Sequence, residues 1–268
     1  MSAIDTLFQN LRNTNQKAFM PFITAGDPDL EFTADLIRRL VSAGAHMCEV
    51  GVPYSDPIAD GPVIQASYTR ALDRKTHVDG VLDMLARVSP DVPDAPLVTM
   101  VSYAIIYRYG PQAYVERAKA AGVSGLIVPD LPVEESGLLS GLCRDADVSL
   151  IPLIAPTTPQ DRAKKIAAAA TGFIYYVSIA GTTGARTELP PEIVDNVAWL
   201  KKQTDAPVCI GFGISRPGHV RMLSPVADGL IVGSAIVRRV AEAESKSREE
   251  VLADVETYVK ELVAALGE

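Results

Sequence analysis

Apolar residues along this chain gather into short runs rich in β-branched side chains, and a longer amphipathic stretch separates each run from the next. The runs are AFMPFITAG from Ala18, MCEVGVP from Met47, LVTMVSY from Leu97, GLIVPDLP from Gly125, LIPLIAPT from Leu150, FIYYVSIAG from Phe173, APVCIGFGI from Ala206 and GLIVGSAI from Gly229. Their length and composition predict strands. Between them, DLEFTADLIRRLVSAGA, PQAYVERAKAAGV and TPQDRAKKIAAAATG read as helices, with Asp or Thr near their starts and Gly near their ends as caps. Strand, helix and strand repeated about every 25 residues demand a parallel sheet. Eight such units in 268 residues predict a (β/α)8 TIM barrel. An open doubly wound sheet is the competing layout. It usually carries a Gly-rich phosphate fingerprint after its first strand, whereas ITAGDPD has one Gly, so the barrel is preferred.

Three segments depart from the even rhythm. MSAIDTLFQNLRNTNQ predicts an extra N-terminal helix with Ile4, Leu7, Phe8 and Leu11 on one face. The gap between the second and third runs is long and holds CEVGVPYSDPIADGP, an insertion expected to have work of its own. SKSREEVLADVETYVKELVAALGE predicts a closing helix with a solvated charged face, packed on the barrel. No Ser/Gly linker or change of composition divides the chain, so residues 1–268 are expected to form a single domain.

Composition narrows the function. With 48% hydrophobic residues there is ample material for a core. A net charge of −8 argues against a nucleic-acid surface, which needs clustered Lys and Arg, and gives no support to docking on an anionic membrane. Any anionic substrate must therefore be held by local features. Cys48, Cys143 and Cys209 form no CxxC pair and read as reduced, buried thiols. The first residues lack the basic and apolar regions of a secretory signal, and no apolar run approaches the roughly 20 residues of a membrane span. A cytoplasmic location is expected.

In (β/α)8 barrels the active site forms at the C-terminal ends of the strands. The second run carries Glu49, on the same face as Met47 and Gly51, although periodicity alone does not say whether that face looks into the barrel. Burial there would raise the carboxyl pKa. A buried structural ion pair is the plain alternative. The loop beyond contains Asp56 and Asp60 in the turn-forming sequences SDP and ADG. Asp60 stands out because the loop is too long for a simple connection and returns a second acid toward the strand end. Two acids in different environments supply distinct acid and base roles. AGTTGAR at Ala180–Arg186, GFG at Gly211–Gly213 and the Gly233–Ser234 pair suggest backbone N–H groups that hold a phosphate without a Lys. The lysines all fall in predicted loops or helices, which disfavours a Schiff base. His46, His77 and His219 do not gather with carboxylates at strand ends, so no metal site is expected. There is no Gly-x-Ser-x-Gly elbow. What remains is cofactor-free acid–base chemistry on a phosphorylated substrate. Phe22, Met100, Ile127, Tyr175, Phe212 and Ile231 lie in or at the ends of strands. Each could be plain core, and Tyr175 and Phe212 near a phosphate cradle also allow a flat apolar group.

The segments FITAGDP, EVGVPYSDPIADGPVIQ, VPDLPVEE, APTTP, GTTGAR and GFGISRPGHV…GLIVGSAIV resemble, in order, the signature segments of the tryptophan synthase α-subunit family, over nearly the whole chain. The resemblance implies a lyase that cleaves indole-3-glycerol phosphate to indole and glyceraldehyde 3-phosphate. It also implies an α2β2 complex whose β subunit carries pyridoxal phosphate, with no cofactor in this chain. Glu49 matches the family's catalytic acid/base and Asp60 its second catalytic carboxylate. Gly184, Gly213, Gly233 and Ser234 match the phosphate-binding positions. Phe22, Met100, Ile127, Tyr175, Thr183, Phe212 and Ile231 fall at the indole pocket, and Pro53, Tyr54, Ser55, Asp56 and Pro57 in the loop pressed against the β subunit. The departures are Thr182 where Val is usual, and Met100 and Ile127 where Leu is common. The rival readings are another phosphate-binding barrel enzyme, and a non-catalytic activating partner of a pyridoxal-phosphate enzyme. Intact Glu49 and Asp60 count against the second.

Overall fold

The computed structural model describes residues 2–57, 60–177, 192–211 and 213–267. Nine strands form one parallel sheet: β1 (Ala18–Thr24), β2 (Cys48–Gly51), β3 (Leu97–Met100), β4 (Val123–Ile127), β5 (Ser149–Ile151), β6 (Leu153–Ile154), β7 (Ile174–Val177), β8 (Val208–Gly211) and β9 (Gly229–Val232). Their order is β5-β4-β3-β2-β1-β9-β8-β7-β6. The two ends of that order are halves of one apolar run, divided at Pro152, which has no N–H to give a ladder. The Pro152 carbonyl still accepts from the Tyr175 N–H at 3.0 Å. Because both ends belong to one run, the sheet closes on itself as an eight-unit barrel with helices outside. The expected TIM barrel is the observed fold.

Two apolar clusters record the alternation of side chains along each strand. The outer one packs Ile23, Cys48, Val50, Leu97 and Leu126 against the helices, among them Phe32, Leu36, Ile37 and Leu40 of the helix Leu30–Ser42. The inner one contains Met20, Phe22, Met47, Val98, Met100, Ile127, Tyr175, Cys209 and Ile231. Met47 is inside and Cys48 outside, which answers the question periodicity left open: Glu49 points into the barrel.

The N-terminal helix Ala3–Asn13 opens with a reciprocal cap between Ser2 and Asp5, and buries Ile4, Phe8 and Leu11 in the inner cluster. Phe8 meets Phe173 with ring centroids 5.9 Å apart, so this helix closes the barrel at the amino ends of the strands. The long gap after β2 holds two helices, Pro62–Asp73 and Val78–Val88. The closing helix Arg248–Leu266 has a Ser247–Glu250 capping box and buries Val251, Val255, Tyr258, Val259 and Leu262, as its pattern predicts. Among the described residues no helix is long and apolar enough to cross a membrane.

Candidate active site

Glu49 is held between Phe22 on β1 and Val98 on β3, its register neighbours. It is 1% exposed, and neither carboxylate oxygen meets a hydrogen-bond partner among the described residues. Burial, with a smaller contribution from the charge of Asp60, pushes its pKa up to about 8. At neutral pH this side chain is therefore mostly a carboxylic acid that can give up a proton. A buried, unpaired carboxyl in an apolar barrel is costly to fold around. Among the described residues no Arg or Lys pairs with it to offset that cost, so they give the ion-pair alternative no support.

The loop after β2 brings Asp60 back toward the barrel mouth. The Asp60 N–H donates to the Pro57 carbonyl at 3.2 Å, and the Gln65 side-chain amide donates to the Asp60 carbonyl at 2.8 Å. These bonds tie the residue to the start of the helix Pro62–Asp73. Asp60 is 8% exposed, and burial pushes it up to about 6. The two acids thus differ: near pH 7 Asp60 is mostly ionised while Glu49 is mostly protonated. Tyr68 and Tyr175 are buried near them, and burial first, then the two carboxylates, push both phenols well above their usual range. Both stay neutral. Gly51 makes room for this packing, since a Cβ there would lie 2.6 Å from Phe22 Cζ and 2.7 Å from the Tyr68 hydroxyl.

Of the pocket residues read from sequence, Phe22, Met100, Ile127, Tyr175 and Ile231 all lie in the inner cluster that lines the barrel. At the same end of the barrel, Gly213 follows β8 with φ +78°, a left-handed backbone that favours glycine. Gly233 follows β9 and caps the helix Ser234–Val240, so Ser234 is the first helical residue. Thr183, Gly184 and Phe212, together with the Thr182 departure, lie outside the described residues.

A cavity of about 150 Å³ opens at this end of the barrel, and Asp60, Tyr68 and Met100 form part of its wall. Tyr54, Asp56 and Pro57 line it too, while Ser55 is exposed and donates to Asp56 Oδ2 at 2.8 Å. Pro53, the fifth residue assigned to the partner-facing loop, is buried. The wall also includes Tyr68 and Asp130, polar residues that the sequence pattern does not single out. Tyr68 sits two turns into a helix whose pattern looks like ordinary core. Asp130, within VPDLPVEE, accepts from the Ser102 hydroxyl at 2.6 Å and from the Tyr103 N–H at 2.7 Å, locking the loop after β4 to the loop after β3. Its signal was an acid just past a strand end. Among the described residues, no three His, Cys, Asp or Glu side chains gather as a metal site.

Fold and site together define a (β/α)8 barrel with its polar centre at the carboxyl mouth, where two buried acids of unequal strength and two glycine turns border an apolar interior. The family model for the tryptophan synthase alpha chain matches residues 8–266, and the chain belongs to that family. The tryptophan synthase alpha chain of Rhodopirellula baltica is 54% identical over 263 residues, covering 97% of this chain and 95% of that one. Among solved structures, tryptophan synthase subunit alpha from Legionella pneumophila str. Paris superposes with a TM-score of 0.92 at 34% identity, covering 100% of this chain and 99% of that one. The aminoacrylate-bound form of tryptophan synthase from M. tuberculosis contains a chain that superposes with a TM-score of 0.87 at 28% identity, covering 99% of this chain and 100% of that one.

Proposed function

We propose that this chain is the lyase subunit of a tryptophan synthase, cleaving indole-3-glycerol phosphate to indole and glyceraldehyde 3-phosphate by acid–base catalysis. The observation that carries the reading is the unequal pair of buried acids, with Glu49 unpartnered and pushed up to about 8. Indole leaves only after its C3 is protonated, which puts positive charge on the ring nitrogen. Neutral Glu49 supplies the C3 proton, and ionised Asp60, accepting from the ring N–H, stabilises the charge. The bond from C3 to the glycerol carbon then breaks. Its electron pair returns to the ring and restores the indole. The glycerol hydroxyl on the departing carbon becomes the aldehyde carbonyl and passes its proton to the Glu49 carboxylate. Glu49 thus ends protonated, as it began.

Gly213 and the Gly233–Ser234 turn supply backbone N–H groups and a hydroxyl for the phosphate, with Gly184 as the third loop of the cradle. Phe22, Met100, Ile127, Tyr175 and Ile231 enclose the indole, with Thr183 and Phe212 as further members of that wall. The partner is a β subunit in an α2β2 assembly in the cytoplasm, and its pyridoxal phosphate serves the step that consumes indole. The exposed Ser55 and Asp56, flanked by Tyr54 and Pro57, form part of the contact surface. Spectrophotometric indole release from indole-3-glycerol phosphate, with and without a β subunit, tests the reading. Folded Glu49→Gln and Asp60→Asn variants that cleave at the wild-type rate would overturn it.

A further inference from the structure

The glycine turns after β8 and β9 belong to separate units of the barrel, and one pair of side chains joins them from behind. Tyr258, on the closing helix Arg248–Leu266, is 6% exposed, and its hydroxyl donates to the Ser215 carbonyl at 2.8 Å. Ser215 lies just past Gly213, and its N–H donates to His219 Nδ1 at 3.3 Å, so the peptide chain is held on both sides of this residue. Arg239 lies on the helix that begins at Ser234. Its guanidinium carbon sits 3.6 Å from the centroid of the Tyr258 ring, and its Nη1 donates to the Ala235 carbonyl at 3.0 Å. Asp254, on the same helix as Tyr258, approaches Arg239 Nε at 3.3 Å and fixes the guanidinium over the ring. A continuous path of contacts therefore runs from the Gly213 turn, through Ser215, Tyr258 and Arg239, to the Gly233 turn.

We propose that Tyr258 and Arg239 are positioning residues for substrate binding: they set the separation of the two glycine turns and so pre-organise the cradle for the substrate's phosphate. The proposal rests on the phosphate role given to those turns above. A cradle made of backbone N–H groups has no flexible side chain to adapt, so its donors must be held at the right spacing before the anion arrives. Neither residue reaches the reacting bond. Burial pushes the Tyr258 phenol up to about 12, so it remains a donor across any practical assay range.

Tyr258→Phe removes only the O–H and keeps the ring under Arg239. Thermal unfolding verifies that the variant is folded, and indole release is then measured with the β subunit present and with inorganic phosphate as a competing inhibitor. KM for indole-3-glycerol phosphate is expected to rise by about three- to tenfold, the range of one lost hydrogen bond. The inhibition constant for phosphate should rise by the same factor, while kcat stays within about twofold and the pH profile keeps its shape, because only uniform binding is lost. Arg239, a third exposed, supplies a second route: Arg239→Gln should move both constants in the same direction. The double variant should fall short of the product of the two effects, since both act on one contact path. Unchanged KM and phosphate inhibition in both folded single variants overturn the proposal, as does a fall in kcat with KM unmoved. If wild-type cleavage is itself insensitive to phosphate, the phosphate role of the turns fails. Wild-type inhibition beside unaffected variants removes the Tyr258–Arg239 inference alone.

Discussion

At the scale of single residues, burial gives Glu49 an acid strength suited to the proton transfer proposed for it. A carboxyl pushed up to about 8 and another pushed up to about 6 set a window in which one is an acid and the other a base. Activity should rise with pH as Asp60 ionises near 6 and fall as Glu49 loses its proton near 8. Indole release measured from pH 5 to 9.5 checks this, and a plateau persisting through pH 9 contradicts it. Glu49→Gln should lower kcat by about 10²- to 10⁴-fold, the usual worth of a positioned proton donor. The same burial has a stability consequence with a definite sign. The folded pKa of Glu49 lies above its unfolded value of 4.5, so the folded state holds the proton more tightly. The associated stability is complete below pH 4.5 and is lost as pH rises toward 8. Glu49→Gln has no such proton to lose. By pH 9 the variant should resist denaturant better than wild type by on the order of 3–5 kcal/mol, with the gap closing toward pH 5. Equal pH dependence in the two proteins would mean that the side chain is not buried uncharged.

At the scale of elements, the loop that carries Asp60 is only as well placed as the helix that follows it. The helix Pro62–Asp73 is tied to the end of β1 by the Thr24–Ser67 hydroxyl pair at 2.6 Å and by Arg70, which donates to both oxygens of Asp27 at 2.9 and 2.6 Å. Asp27 is 3% exposed, so Arg70→Met would leave a buried charge without its bidentate partner. We expect a loss of about 2–4 kcal/mol in urea unfolding, together with reduced kcat, because Tyr68 and Asp60 move with the helix. Asp27→Asn, which keeps a hydrogen-bond acceptor, should lose less. The elements themselves were largely legible: seven of the eight apolar runs became one strand each and the run from Leu150 became two, and Asp29 caps its helix through the Phe32 N–H, as the pattern predicts. What the pattern hid has physical causes. A strand covered on both faces is apolar on both, so the inward direction of Glu49 waited on the two clusters. Pro152 splits one run without changing its hydrophobicity. Tyr68 reads as core because it is core, and nothing in its helix pattern shows which carboxylates lie near it. Glu49 and Asp60 were legible because charge in an apolar run and a long connection are both anomalies a sequence displays.

At the scale of the molecule, the barrel separates what holds it together from what it does. The amino end is plugged by the helix Ala3–Asn13, whose Ile4 side chain lies where a Cβ on Gly125 would come within 2.8 Å of it, and whose Phe8 packs on Phe173. The acids, the glycine turns and the cavity all gather at the other end, past the carboxyl ends of the strands. Barrels of this kind allow this division because the active site is built from the loops at the carboxyl ends of the strands, while residues at the amino end serve stability. Phe8→Ala therefore isolates stability. It removes a ring that is 3% exposed and leaves a cavity at the plug, which should cost about 3–5 kcal/mol in denaturant unfolding. In native buffer at 25 °C the folded fraction should keep wild-type KM and kcat for indole release, within about twofold. Tyr68→Phe should do the reverse, altering turnover while leaving the unfolding midpoint nearly unmoved, because its ring volume is retained and only one hydroxyl near the two carboxyls is lost. A Phe8→Ala protein that unfolds like wild type would show that the plug adds little stability, and one that is folded but catalytically impaired would show that the two ends of the barrel are coupled.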